Sequence, residues 1–132
     1  MRAVIDTNVL VSALLTPGGV ASRLVEAIRD NKLQPVISHE VHLEYVQVLN
    51  REKFGFVKSE VADLLDDLMQ LGLFVVPEPL DTTRLPDPDD GRFIAAARLA
   101  NCVVIAGNPR HFPPESGIKT LSPAEALAHL TT

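Results

Sequence analysis

Residues 89–107, "DDGRFIAAARLANCVVIAG", place a helical pattern directly before a short apolar run. Phe93, Ile94 and Ala97 recur at the spacing of one helix face, whereas "CVVIAG" is almost continuous in apolar residues. Apolar strands that are separated by helices are typical of a parallel sheet covered on both of its faces. This stretch therefore predicts an α/β fold.

The same alternation of apolar runs and helical patterns extends along the whole chain. The predicted strands are "RAVID" (2–6), "QPVIS" (34–38), "LFVVP" (73–77), "CVVIAG" (102–107) and the short "IKTL" (118–121). The predicted helices lie within residues 18–33, 38–52, 58–72, 89–101 and 122–130. We expect one domain over residues 1–132, built as a three-layer α/β/α sandwich around a mostly parallel central sheet of four to five strands.

Polar residues and glycine mark several of the predicted helix ends. Ser38 can cap the first turn of its helix, and Gly72 follows the last turn of another. Ser122, Pro123 and Glu125 stand at the positions of a capping box, in which the serine and glutamate side chains accept hydrogen bonds from each other's backbone N–H groups.

The charge and composition limit the classes of partner. Hydrophobic residues make up 46% of the 132 residues and charged residues 22%, which favours a folded globule over a disordered chain. A net charge of −5 gives no support for broad electrostatic attraction to nucleic acid or anionic lipid. Any chemistry on nucleic acid would therefore need bound cations or a local basic patch.

The sequence also predicts the compartment. Asp6 and Asn8 interrupt the N-terminal apolar run before a signal-peptide core is complete, and no stretch approaches the ~18 apolar residues of a membrane span. Cys102 is the single cysteine, so no intrachain disulfide can form, and its apolar surroundings predict a buried, unreactive thiol. We expect a cytoplasmic protein without a membrane partner.

Three of the predicted strands lead into polar residues, the third of them through a loop that ends in the aspartates within residues 87–90. Asp6 ends the first strand and is followed by Thr7 and Asn8, while Asn108 stands just beyond the fourth strand. In open parallel sheets, ligands bind outside the carboxyl ends of the strands. Each residue also has a structural explanation, because Asp6 can turn the chain and cap the next helix, and Asn108 can be a turn residue before Pro109.

Glu44 lies at the edge of a predicted buried helix face. Val41, Tyr45 and Val48 form a stripe that should face the core, and Glu44 lies about 60° from Val41 at roughly 100° per residue. A carboxylate at that position is costly to desolvate unless a positive group meets it. The alternative is an ordinary surface glutamate.

Three aspartates in four positions precede the helix of residues 89–101. Asp87 followed by Pro88 is a strong helix start, and carboxylates in a first turn are favoured by the helix dipole. This explanation accounts for Asp87 and Asp89. Asp90 lies on the same face as the apolar residues of the helix, where a charge that only supports the helix start is not needed.

Asp6, Glu44, Asp90 and Asn108 can therefore converge at one edge of the sheet. Several carboxylates in one cleft repel one another unless divalent cations lie between them, and oxygen ligands favour hard ions such as Mg²⁺ or Mn²⁺. The four histidines are scattered and form no zinc pattern. Such a site suits phosphoryl transfer, in which the metal offsets phosphate charge and activates water.

Four segments of the chain resemble PIN-domain proteins in their order and spacing. They are "VIDTNVLVSALL", "ISHEVHLEYVQVL", "DPDDGRFIAAARLANCVVIAGN" and "LSPAEAL". The chain is most similar to the branch described as toxins of toxin–antitoxin pairs and related to the VapC-type ribonucleases. This resemblance implies a parallel-sheet α/β domain, a Mg²⁺ or Mn²⁺ site and endoribonuclease activity on an RNA substrate. It also implies an antitoxin partner and a homodimer.

The resemblance assigns roles to individual residues. It implies that the catalytic residues are Asp6, Glu44 and Asp90, and that the metal ligands are Asp6, Glu44, Asp87, Asp90 and Asn108. Asn108 stands where the family usually has an aspartate after a threonine–glycine pair, which is Ala106–Gly107 here. The residues expected to position substrate or water are Thr7, Asn8, Arg92 and Arg110. Arg23 and Arg84 are further basic residues that could steer RNA.

Two other functions are compatible with parts of the sequence. Asn108 removes one expected charge, which favours a catalytically inactive PIN-like module that binds RNA or a protein. The aspartate of "VIDTN" also suggests a phosphatase or a phosphoacceptor domain. Haloacid-dehalogenase-type phosphatases need a second aspartate where Asn8 stands, and receiver domains need an aspartate after the third strand, which "LFVVPEPL" does not offer. The metal-dependent ribonuclease is therefore the preferred hypothesis.

Overall fold

The computed structural model describes residues 1–83, 85–108, 112 and 117–131. Within these residues, the strands are β1 (Arg2–Ile5), β2 (Gln34–Ile37), β3 (Leu73–Phe74), β4 (Val103–Ile105) and β5 (Thr120–Leu121). The α-helices are α1 (Thr7–Leu15), α2 (Val20–Arg29), α3 (His39–Leu49), α4 (Lys58–Leu71), α5 (Gly91–Ala100) and α6 (Pro123–Thr131). Two 3₁₀ helices cover Glu52–Phe54 and Pro88–Asp90.

The five described strands form one parallel sheet in the order β3-β2-β1-β4-β5. β1 lies in the centre, with Ala3 opposite Pro35 of β2 on one side and opposite Val103 of β4 on the other. The chain builds outward from β1 to β3, and then returns to the other side of β1 for β4 and β5. The carboxyl ends of β1 and β4 therefore flank a topological switch point, where ligands bind in open α/β sheets.

Helices cover both faces of this sheet. α5 packs against β1, β2 and β4, whereas α2 packs against α1, α4 and α6. Right-handed crossovers explain this arrangement, because the chain reverses its direction across the sheet between β3 and β4 and so carries α5 to the other face. The predicted α/β/α sandwich with a parallel central sheet is confirmed.

The central strands are buried because both of their faces are covered. Ala3, Val4 and Ile5 of β1 are almost inaccessible to solvent, as are Val104 and Ile105 of β4. Near-continuous apolar sequence is what such strands require. Beside this core, Cys102 is partly buried, and burial raises the pKa of its thiol, which favours the less reactive protonated form.

The observed elements differ from the predicted ones in three places. The sequence pattern gave no helix before residue 18, but residues 7–15 form α1, whose apolar side chains are mostly buried and leave little helical periodicity to detect. β3 has two residues instead of five, since it is an edge strand whose single neighbour, β2, ends at Ile37 opposite Phe74. The helix predicted from residue 89 begins as a 3₁₀ turn at Pro88 and becomes α-helical at Gly91.

The predicted helix ends are confirmed at the two capping serines. The Ser38 hydroxyl accepts a hydrogen bond from the backbone N–H of Val41 at 3.2 Å. The Ser122 hydroxyl accepts from the N–H of Glu125 at 3.1 Å, and the Glu125 carboxylate accepts from the N–H of Ser122 at 2.9 Å. This reciprocal bonding lowers the pKa of Glu125 and fixes the start of α6.

The described helices were also compared with the length and hydropathy of a membrane span. No single one of them is long and apolar enough to cross a bilayer. α1 and α2 meet the requirement only when taken together, and they are bent by 105° at the break between them.

We predict that Gly72→Ala destabilises the fold. A Cβ atom at Gly72 would lie 2.5 Å from the carbonyl oxygen of Leu68, 3.0 Å from Ile37 Cδ1 and 3.1 Å from the carbonyl oxygen of Pro35. The backbone of α4 and β2 would have to move apart, so we expect the free energy of unfolding to fall by about 1–3 kcal/mol in urea denaturation.

Gly107→Ala is the matched control for this experiment. Its Cβ would meet no described atom within 4 Å, so the free energy of unfolding should change by less than about 0.5 kcal/mol. Equal destabilisation by the two variants would contradict a steric role for Gly72.

Candidate active site

The end of β1 holds Asp6 in a buried position. Its backbone N–H donates to the carbonyl oxygen of Ile105 at 2.9 Å, and its own carbonyl oxygen accepts from the N–H of Val9 at 2.9 Å. Asp6 therefore occupies the N-cap position of α1, but its side chain makes no capping hydrogen bond to that helix. Asp6 is only 6% exposed. Because its carboxylate does not cap α1, helix capping does not explain why this charged group is buried.

Tyr45 connects α3 to the same end of β1. Its hydroxyl group donates to the carbonyl oxygen of Ile5 at 2.6 Å, and the residue is fully buried. Burial raises the pKa of Tyr45 far above its ordinary value, and the negative charges of Asp6 and Glu44 raise it further. Both carboxylates therefore lie close enough to act on one phenol.

Glu44 is held by two groups of the protein itself. The Thr7 hydroxyl donates a hydrogen bond to Oε2 of Glu44, and Nη1 of Arg92 lies 3.9 Å from Oε1. Arg92 is fixed in turn by Asp89, whose carbonyl oxygen accepts from Nε at 2.9 Å and whose carboxylate lies 3.4 Å from Nη2. The predicted placement of Glu44 at the edge of the buried stripe agrees with its partial burial, and Arg92 offsets part of its desolvation.

Asp90 is buried at the start of α5. It is 7% exposed, its backbone N–H donates to the carbonyl oxygen of Asp87 at 3.1 Å, and its side chain makes no capping hydrogen bond to α5. The next residue must be small, because a Cβ at Gly91 would lie 2.4 Å from Cγ2 of Thr82. Gly91 thus lets the loop before the 3₁₀ turn close over the start of α5.

The remaining predicted site residues are more accessible or lie outside the described residues. Asp87 is exposed and its carboxylate accepts from the N–H of Asp89 at 3.0 Å, which is the expected capping role. Asn8 and Asn108 are exposed. The structure does not describe Arg84 or Arg110. Arg23 lies on α2 and lines a cavity with side chains of α6, away from the residues above.

A groove of about 480 Å³ opens beside Asp89 and Arg92. It lies between α3, the loop after β3 and the start of α5, and its lining includes Leu43, Gln47, Leu80 and Asp89. Arg92 also lines this groove and lies 3.9 Å from Glu44, so this arginine connects the groove to one of the acidic residues.

The donor atoms at this edge of the sheet are of the chemical type that binds a hard cation. Asp6, Glu44 and Asp90 contribute carboxylates and Thr7 a hydroxyl group, and Mg²⁺ and Mn²⁺ prefer such oxygen ligands. Their arrangement is looser than a preformed metal site, since no three His, Cys, Asp or Glu side chains in the described part of the chain are grouped to hold an ion. The predicted set of ligands therefore stays a prediction.

The sequence interpretation missed the contribution of Tyr45. It identified this residue only as part of the apolar stripe of α3, although a buried phenol normally requires a hydrogen-bond acceptor. In the structure that acceptor is the last carbonyl of β1, and the bond brings α3, and Glu44 with it, to the residue before Asp6.

Comparisons with known proteins identify one family. The family model described as "PIN domain" matches residues 2–108, which begin with β1 and include Asp6, Glu44 and Asp90. An uncharacterized protein of Methanocaldococcus jannaschii is 25% identical over 112 residues, which cover 82% of this chain and 71% of that protein.

We predict that Tyr45 makes the stability of the fold fall at alkaline pH. Its folded-state pKa is raised above the ordinary 10.0, so above pH 10.0 the unfolded chain releases the phenol proton while the folded chain keeps it. The folded state then binds more protons, and its free energy of unfolding decreases by up to about 1.4 kcal/mol per pH unit.

Urea denaturation of the wild type and Tyr45→Phe at pH values below and above 10.0 tests this prediction. The variant loses one hydrogen bond at every pH, but its stability should fall less steeply above pH 10.0 than that of the wild type. Because the chain has one tyrosine and no tryptophan, phenolate absorbance reports the same ionisation directly. Parallel stability curves would contradict the proposed pKa shift.

Proposed function

The chain belongs to the PIN-domain family, and on that premise we propose that it is a Mg²⁺- or Mn²⁺-dependent endoribonuclease that hydrolyses RNA phosphodiester bonds. The observation that carries this proposal is the burial of Asp6 and Asp90, which are 6% and 7% exposed. Neither carboxylate caps the helix that it precedes. Helix capping therefore does not account for the burial of these two charged groups at the edge of the sheet where open α/β folds bind ligands.

In this proposal the residues that hold the metal are Asp6, Glu44 and Asp90, with Asp87 and Asn108 as further ligands at the exposed rim. A bound divalent ion supplies positive charge that offsets the phosphodiester and lowers the pKa of a coordinated water. Thr7 orients the Glu44 carboxylate through its hydroxyl group. Asn8, Arg92 and Arg110 are assigned to positioning substrate or water.

We extend the proposal to the biological role. The four segments that resemble the toxin branch of the family support a toxin that acts on cytoplasmic RNA and is held inactive by an antitoxin protein. The same resemblance supports a homodimer. A homodimer would align two acidic clefts, each with its own copy of Asp6, Glu44 and Asp90.

A second candidate function is a PIN-like module that binds RNA or a protein without cleaving it. Three observations favour it. Arg92 already provides a positive partner for Glu44, and no group of three acidic or histidine side chains is preassembled among the described residues. Asn108 also supplies no negative charge at the position where the family usually has an aspartate.

We predict that Asp6→Asn and Asp90→Asn each reduce Mn²⁺-dependent RNA cleavage by at least about 100-fold, because each replaces a charged metal ligand with a neutral amide of similar shape. Initial rates of cleavage of a labelled RNA, with Mn²⁺ and with EDTA, provide the measurement. Asp66→Asn is the matched control, since Asp66 is an exposed aspartate on α4. Full Mn²⁺-dependent cleavage by Asp6→Asn would refute the proposed site.

We also predict that Mn²⁺ raises the melting temperature of the wild-type chain. An ion that binds the folded state stabilises it by about 2.7 kcal/mol when its concentration is 100 times Kd, which corresponds to a rise of several degrees. Differential scanning fluorimetry with MnCl₂ and then with excess EDTA measures this effect. Asp6→Asn should show a smaller rise, and Asp66→Asn the full rise.

The melting experiment also separates the two candidate functions. An absent Mn²⁺ effect together with intact RNA or protein binding would favour the non-catalytic module over the nuclease.

A further inference from the structure

Residues 51–58, "REKFGFVK", join α3 to α4 and are called the α3–α4 segment below. The segment contains three exposed cationic residues, Arg51, Lys53 and Lys58, and one acidic residue, Glu52. The formal charge of the segment is therefore +2, whereas the net charge of the chain is −5. None of the three cationic side chains forms a salt bridge with another described residue, whereas Arg29 and Arg92 do. The segment is therefore a local concentration of positive charge that the described structure does not neutralise through salt bridges.

Aromatic rings lie between these cations. Phe54 and Phe56 stack with their ring centroids 5.2 Å apart and their planes 11° apart, and Nζ of Lys53 lies 5.1 Å from the centroid of Phe54. Both rings are partly buried and pack against the hydrophobic core, which fixes their orientation. The segment thus presents a preformed aromatic pair with a cation over the ring of Phe54.

Lys58 stands at a position where a helix disfavours a positive charge. It is the first residue of α4, where the dipole of a helix favours negative charge and disfavours a cation. The N-cap residue of the same helix, Val57, has no side chain that could cap it, and it is exposed. Glu60 in the same turn is favoured by the dipole, but local helix stability does not account for Val57 and Lys58.

The α3–α4 segment follows the helix that carries Glu44. Glu44 is five residues before Leu49, the last residue of α3, so about 7.5 Å of helix separates them. Single-stranded sites on proteins span about 4–16 nucleotides, which is long enough to cover both regions.

We propose that the α3–α4 segment is a docking platform for single-stranded RNA. Unpaired bases stack on the Phe54–Phe56 pair, and Arg51, Lys53 and Lys58 contact the phosphates. This inference rests on the proposed function, in that RNA is the polyanion, and it adds a binding surface outside the acidic site. Paired bases in a duplex do not offer their faces for stacking, so the combination of rings and cations favours a single strand.

Charge reversal tests the platform. Wild-type chain in EDTA, where a metal-dependent nuclease is inactive, is titrated against a fluorescein-labelled single-stranded RNA of 12 nucleotides (within the ~4–16 nucleotides of such sites), and anisotropy gives Kd. The variant Lys53→Glu/Lys58→Glu is compared with Lys32→Glu/Lys119→Glu, which changes the net charge equally at exposed lysines elsewhere. We expect the first variant to weaken binding at least about tenfold more than the second.

Loss of the rings tests stacking separately from charge. Phe54→Leu/Phe56→Leu keeps apolar side chains over the core but removes the aromatic faces, and we expect binding to weaken about tenfold. Phe74→Leu, at an exposed phenylalanine of β3, is the matched control and should bind like the wild type. Melting temperatures of all variants verify that each chain is folded.

Failure of this inference is distinguishable from failure of the proposed function. Asp6-dependent RNA cleavage together with RNA binding that is unchanged by the α3–α4 variants would overturn the platform alone. Equal weakening by the test and control charge reversals would overturn it as well, because binding would then depend only on net charge. Platform-dependent binding without any Mn²⁺-dependent cleavage would support the platform and refute the nuclease.

Discussion

The hydrogen bond from the Tyr45 hydroxyl to the carbonyl oxygen of Ile5 determines how the candidate site is assembled. It satisfies the last carbonyl group of the central strand and draws α3 across the end of the sheet. The next residue, Asp6, is held from the other side through its N–H bond to Ile105 of β4. Both bonds use buried polar groups whose desolvation would otherwise be costly, so they fix the region in which the Asp6 and Glu44 carboxylates lie.

Much of the fold was predictable because apolar patterning reports burial. The near-continuous apolar runs identified the central strands, and short polar signals such as Ser38 and the Ser122–Glu125 pair marked helix starts correctly. Apolar patterning failed where the buried positions do not recur at the period of a helix or a strand. α1 has most of its residues buried and was missed, while β3 is an edge strand whose length depends on its single neighbour, β2.

The candidate site was predictable only as a set of residues. Helical geometry placed Glu44 at the edge of a buried face and Asp90 at the start of one, and both are partly or largely buried in the structure. The contacts between elements could not be derived, because Thr7, Glu44 and Arg92 come from three different helices whose packing the sequence pattern does not specify. The α3–α4 segment was missed, since each of its charged residues taken alone is typical of an ordinary exposed surface.

The sheet order has a consequence for protein synthesis. β1 leaves the ribosome before its partner β4, because Ile105 follows Asp6 by 99 positions in the chain. At roughly 5–20 residues per second, this delay is about 5–20 s, during which the nascent chain lacks one neighbour of its central strand. The acidic end of that strand therefore reaches its folded environment only after β4 has been synthesised and has paired with it.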